Sequence, residues 1–169
     1  MPPSDLYSKL WSLSDTHCNP PDLETILSIR SPDAQHGWGH NHLLHLNPVL
    51  KGLMDNEAFK AHLLNSGSYL SALDKLTELD IIVDEHQRKA SIRMSYFLQA
   101  VGSDEVVEND LIWLLKFTDD EDVDKVLIKE SIEFVDSTAN FKVTRLAKEN
   151  KGELNQNVTG GLAITVLEN

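Results

Sequence analysis

Three ionisable side chains carry most of the chemistry this sequence offers. Arg30 lies in Arg30-Ser31-Pro32-Asp33, His36 follows six residues on and two before Trp38, and Glu133 opens Glu133-Phe134-Val135-Asp136-Ser137. An arginine stays charged throughout a reaction cycle and presents a planar fork of donors to a carbonyl or oxyanion. A histidine, with an ordinary pKa of about 6.5, gives or takes a proton near neutral pH. Glu133 falls late in an otherwise apolar run of Val126, Leu127, Ile128, Ile132, Phe134 and Val135. A carboxyl aimed into an apolar cavity keeps its proton to higher pH and acts as a general acid or base. The set suits proton transfer. Each residue also has a plainer reading: Arg30 as the cation ending a helix, His36 as a loop histidine, and Glu133 as a solvated charge beside Lys129.

Other residues would shape such a pocket. Trp38 offers a flat wall. Alternation along Val106 to Thr118 puts Asn109 on one face with Leu111 and Trp113, and leaves Glu108 and Asp110 on the other. Asn109 inside would be an uncharged partner for a ligand oxygen. His36, His40, His42 and His45 cluster locally, but Gly37, Gly39 and Asn41 interleave them and no carboxylate lies within the cluster, so no metal site is expected. Ser-His-Asp order, a glycine-rich phosphate loop and Cys-Xaa-Xaa-Cys are all absent from the sequence.

The elements that must position these groups read as helices first and strands afterwards. Leu6, Leu10 and Leu13 recur at helical spacing. Asn19 before Pro20-Pro21 marks the start of a second helix, which ends near Arg30-Ser31-Pro32 because the residue before proline is pushed out of the helical region. His36 to Leu50 reads as a strand start and a long loop. Asp55-Asn56 caps a third helix whose stripe is Phe59, Leu63, Leu64, Leu70, Leu73 and Leu76, weakened at Gly67. Leu79 to Val83, Ala90 to Ala100, Val106 to Thr118 and Val126 to Val135 are four strands joined by short polar turns, an antiparallel meander. Asp136-Ser137 caps a last helix through Lys148. The chain is expected to form one domain over residues 1–152, followed by a tail, 153–169, that pairs as an edge strand or stays mobile. This is an α+β architecture in which helices close a curved sheet around a cavity.

Composition narrows the function. The 169 residues carry a net charge of −12 with 15 Lys and Arg, which disfavours nucleic acid and anionic membranes. Cys18 is the single cysteine, so no intrachain disulfide forms. Met1-Pro2-Pro3-Ser4-Asp5 has no basic or apolar leader character and no apolar run reaches membrane length, so a soluble, cytoplasmic protein is expected.

Ile26 to Asp33 with His36, Asp55-Asn56-Glu57-Ala58-Phe59, Glu108-Asn109-Asp110 and Glu133 to Ser137 together resemble the fungal SnoaL-like branch of the NTF2-like superfamily, over residues 5 to 150. The resemblance implies a cone-shaped barrel, a homodimer and chemistry without metal or organic cofactor. It further implies isomerisation, cyclisation or rearrangement of a polyketide, meroterpenoid or alkaloid by acid–base residues in the cone. Arg30, His36 and Glu133 match the family's arginine, histidine and late-strand glutamate. Members of the branch often read Tyr-Glu-Asn-Glu-Tyr where this chain has Val107-Glu108-Asn109-Asp110-Leu111. Both phenols are missing, and Tyr96 or Tyr69 would have to compensate.

The expectation is therefore a cofactor-independent isomerase or cyclase of a small secondary metabolite. Arg30, His36 and Glu133 would be catalytic, and Trp38, Tyr96, Asn109 and Trp113 would bind substrate. A dehydratase on the same scaffold and a non-catalytic ligand-binding module are the alternatives.

Overall fold

The computed structural model describes residues 2–72 and 80–164. The expected α+β order is present, built on a sheet that curls into a half-barrel. Helix α1 (Asp5–Cys18) starts where Ser4 accepts the Tyr7 N–H, and it buries Leu10, Leu13, His17 and Cys18. Helix α2 (Leu23–Ser28) begins later than Asn19-Pro20-Pro21 suggests, because the cap is Asp22, whose carboxylate accepts the Thr25 N–H at 2.7 Å. Helix α4 (Asn56–Gly67) is capped by Asp55, and α5 (Ser137–Lys151) by Asp136.

Three further segments depart from the sequence reading. The chain after α2 is a nine-residue strand, β1 (Arg30–Trp38), running parallel to β6 (Ile128–Phe134). Pro32 has no N–H to give a ladder, and the pairing breaks between Arg30 and Gln35, so the strand passes the proline through an irregularity. The expected loop that follows holds a short helix, α3 (Asn41–Leu46), and a 3₁₀ turn at Pro48–Leu50. The third-helix stripe ends at Gly67: Leu70 belongs to β2 (Leu70–Ala72), paired with the end of β4. Leu73 and Leu76 lie outside the described residues.

The meander is otherwise as expected. β3 (Asp80–Asp84), β4 (Lys89–Ala100), β5 (Val106–Phe117) and β6 are antiparallel neighbours, with β1 and β2 completing the sheet in the order β1-β6-β5-β4-β2. β5 alternates exposed and buried along its length, so one face is covered and the other is wet. Cross-strand partners share a face. Trp38, Glu133, Trp113, Ile92 and Ile81 therefore form one inward row, and Gly37, Ile132, Leu114, Ser91 and Ile82 form the adjacent outward row.

The core lies between this inner face and the helices. Leu10 and Leu13 of α1 pack with Ile92, Met94, Leu111, Leu115 and Phe117, and Val143, Leu146 and Ala147 of α5 pack with Ala100 and Val107. Beyond α5 the tail lies along that helix as far as a 3₁₀ turn, Gly160–Ala163, with Leu162 buried. Among the described residues no helix is long and apolar enough to cross a membrane.

Candidate functional site

Between the sheet's inner face and α1, α2, α4 and the tail lies a cavity of about 540 Å³. Glu133, Tyr96, Asn109 and Trp113 border it. Arg30, His36 and Trp38 are not among the lining residues: they are almost wholly buried behind its wall.

Glu133 is the carboxyl that borders this space. It stands in the inward row with Trp38 and Trp113 as its cross-strand neighbours, and the Gly39 N–H donates to its main-chain carbonyl at 2.7 Å. Gly39 is required there, because a Cβ would run into the Phe134 ring. Burial raises the Glu133 carboxyl to about 7, with the Trp38 side chain pulling the other way. A carboxyl poised there exists in both protonation states near neutral pH.

The other lining groups are neutral. The Tyr96 hydroxyl donates to the Cys18 carbonyl at 3.2 Å, and burial holds it well above the usual phenol range. Cys18 is pushed up to about 12 by burial, with Asp15 and Glu133 adding to the rise, so it is held as the neutral thiol. Asn109 accepts from the Asp136 N–H at 3.1 Å and from Asn140 Nδ2 at 3.0 Å, leaving its own amide hydrogens for the cavity.

Arg30 and His36 meet behind the wall at one oxygen. Arg30 Nη1 donates to Ser131 Oγ at 3.0 Å, and His36 Nδ1 lies 3.0 Å from the same atom. A guanidinium only donates, so the Ser131 oxygen accepts from Arg30 and either donates to a bare Nδ1 or accepts from a protonated one, while His36 Nε2 has no hydrogen-bond partner among the described residues. Arg30 Nε also donates to Asn56 Oδ1 at 2.8 Å, and its guanidinium lies 4.4 Å over the Phe59 ring. Burial brings Arg30 down to about 10, so it remains charged. His36 is held well below its ordinary value by burial, reinforced by His62, His17 and Arg30.

Two histidines that the sequence reading passed over also border the cavity. His17 continues the Leu6-Leu10-Leu13 stripe of α1, so its spacing carried the signal. His62, one turn beyond Phe59 on α4, has Nδ1 3.0 Å from the Thr159 hydroxyl of the tail. Burial lowers His17 to about 3 and His62 to about 4. His40, His42 and His45 are exposed while His36 points inward. Among the described residues no group of three or more His, Cys, Asp or Glu could hold a metal ion.

No protein-family model matches the chain, and no curated protein matches its sequence. Solved structures do match. PrhC from Penicillium brasilianum superposes with a TM-score of 0.67 at 20% identity, over 93% of this chain and 95% of that one. BvnE pinacolase from Penicillium brevicompactum gives 0.65 at 18% identity, over 83% and 94%. An NTF2-like protein from Burkholderia xenovorans gives 0.56 at 10% identity, over 81% and 94%. The half-barrel sheet, the helices closing it and these likenesses together show that this chain has the NTF2-like fold its sequence motifs resemble.

Proposed function

We propose that the protein is an acid–base isomerase or cyclase acting on an oxygenated secondary metabolite of polyketide, terpenoid or alkaloid type. The observation that carries this reading is Glu133: a carboxyl bordering a cavity of about 540 Å³, raised to about 7 by burial and set between two tryptophans. The carboxylate takes a proton from a carbon or hydroxyl of the substrate. The carboxylic acid then returns it at another position, so the product has the substrate's mass. Asn109 donates to a substrate oxygen, and Trp113 and Tyr96 shape the walls. Arg30 and His36 act at one remove, as positioning residues that hold Ser131 and with it the strand bearing Glu133. The likeness of fold to a pinacolase supports a rearrangement within this range.

We also assign a homodimer. Ile82, Ile112 and Leu114, each at least 40% exposed, lie on the outward face of the sheet and give it an apolar surface to cover. Light scattering tests that assignment.

The function is tested by adding purified protein to a metabolite extract from a strain of the source organism lacking this gene, followed by liquid chromatography and mass spectrometry. A consumed peak replaced by one of equal mass is the expected result, abolished by Glu133→Gln. A product lighter by one water makes the reaction a dehydration on the same carboxyl. An unchanged extract leaves the cavity as a binding site without turnover and overturns the proposal.

A further inference from the structure

His17 is a buried polar side chain without a hydrogen-bond partner among the described residues. It is 1% exposed, it borders the cavity, and neither ring nitrogen has a hydrogen-bond partner among the described residues. Its neighbours differ in degree: His36 has Nδ1 at Ser131 and only Nε2 unpartnered, and His62 has Nδ1 at Thr159. Buried polar groups are nearly always paired, so an exception at a cavity wall calls for an explanation, and a molecule entering the cavity supplies one. The ring is fixed edge-on to Trp113, with centroids 4.6 Å apart and planes at 89°. Trp113 is the cross-strand neighbour of Glu133, and its own buried Nε1, which faces the Tyr96 phenol, makes no hydrogen bond of normal geometry among the described residues. The unpartnered His17 ring and the Trp113 indole thus stand side by side next to Glu133.

The chemistry of the pair describes what they receive. A neutral imidazole presents one N–H donor and one bare nitrogen, and an indole presents one donor. The complement is an oxygen that accepts from these donors, a ketone or a hydroxyl, and the hydroxyl can also donate to the bare imidazole nitrogen. Ile26, Leu63, Leu98 and Leu162 make the surrounding walls apolar, so the remainder of the molecule is a hydrocarbon frame. The nearest fixed cation, Arg30, does not line the cavity: Nε goes to Asn56, Nη1 to Ser131, and only Nη2 is unpartnered among the described residues, while Glu133 would repel an anion. We infer that His17, with Trp113, binds the carbonyl or hydroxyl oxygen of an uncharged, largely hydrocarbon substrate and holds it beside Glu133. This rests on the reading of the cavity as a site for an oxygenated apolar metabolite.

Tetralin, 1-tetralone and 1-tetralol share one fused-ring frame and differ only in oxygen, which makes them probes of this contact. Titrated into the full-length protein and followed by tryptophan fluorescence, the two oxygenated probes are expected to bind roughly tenfold more tightly than tetralin. His17→Leu should remove that preference while leaving tetralin binding unchanged, and His17→Gln should restore part of it. Spectra of ¹⁵N-histidine-labelled protein give a second readout, in which 1-tetralone should shift the His17 ring nitrogens. If the preference survives in His17→Leu and the His17 nitrogens stay still while the probes bind, the His17 assignment is overturned and the cavity reading stands. If no probe binds the wild-type protein, the cavity reading falls and takes this inference with it.

Discussion

Ser131 and Glu133 stand two residues apart on the inner face of β6, so the residue that ties Arg30 to His36 and the residue that borders the cavity share one short stretch of backbone. The intervening Ile132 pairs with Gly37 of β1 on one side and Leu114 of β5 on the other, so a shift of Ser131 is expected to carry Glu133 with it.

Ser131→Ala tests that coupling. The substitution leaves Arg30 Nη1 and His36 Nδ1 buried with no partner, and each unsatisfied group costs about 1–3 kcal/mol. The urea midpoint should fall accordingly with an unchanged slope. Any turnover should drop while the pH at half-maximal rate stays at the Glu133 value, because the carboxyl's own surroundings are intact. A shifted pH midpoint would mean that the network tunes Glu133 directly instead of positioning it.

Glu133 itself should cost stability. Its folded value of about 7 lies above the ordinary 4.5, so between these values the folded state holds a proton that the unfolded chain has released. Stability therefore falls as pH rises from 4.5 to 7 and is level above, by on the order of 3 kcal/mol in all. Glu133→Gln removes this loss. The variant should melt higher than wild type at pH 8 and not at pH 4.5, while being inactive at both. Equal melting shifts at the two pH values would show that the carboxyl is solvated.

Much of the architecture and part of the site were legible in the sequence. The alternation from Val106 to Phe117 sorted Asn109 and Trp113 inward and Glu108 outward, because only one face of the sheet is covered. β1 was hidden because Pro32 interrupts a strand pattern and the pairing partner, β6, lies far along the chain. The split between lining and buried residues was also hidden. Arg30, His36 and Glu133 are all inward, and only the packing of Phe59 against Arg30 and His36 puts two of them behind the wall. His17 was overlooked for the opposite reason: a polar residue on an apolar stripe reads as an interruption, whereas here it borders the cavity.

The buried imidazoles set the acid limit of the fold. His17 and His62 are held at about 3 and about 4, and His36 is lowered as well, all chiefly by burial. In the unfolded chain each takes a proton below 6.5 that the folded protein refuses. The stability they leave intact above pH 6.5 is lost progressively as pH falls toward 4. Three such groups outweigh the single opposing contribution of Glu133, so the melting temperature should drop by several degrees from pH 7 to pH 5. His17→Leu should flatten part of that slope. A melting temperature that rises on acidification would mean that the imidazoles reach solvent.

The tail closes the cavity through two contacts of different kinds, and they can be separated. Gly161 lies so close to Asn140 that a Cβ would collide with the side-chain amide, and that amide donates to Asn109 Oδ1 and to the Asp136 carbonyl at 2.9 Å. Gly161→Ala must therefore displace either the tail or Asn140, and with Asn140 the lining residue Asn109. Thr159→Ala removes only the contact with His62 Nδ1 and leaves Asn140 in place. For 1-tetralone, Gly161→Ala should weaken binding about tenfold, the worth of one well-placed hydrogen bond at the upper end. Thr159→Ala should instead speed dissociation with a smaller loss of affinity, since a loosened strap lets the ligand leave without changing what it touches. Stopped-flow fluorescence separates the two effects. Wild-type affinity in Gly161→Ala would show that the tail and Asn109 move independently, and that the cavity is shaped by the sheet and helices alone.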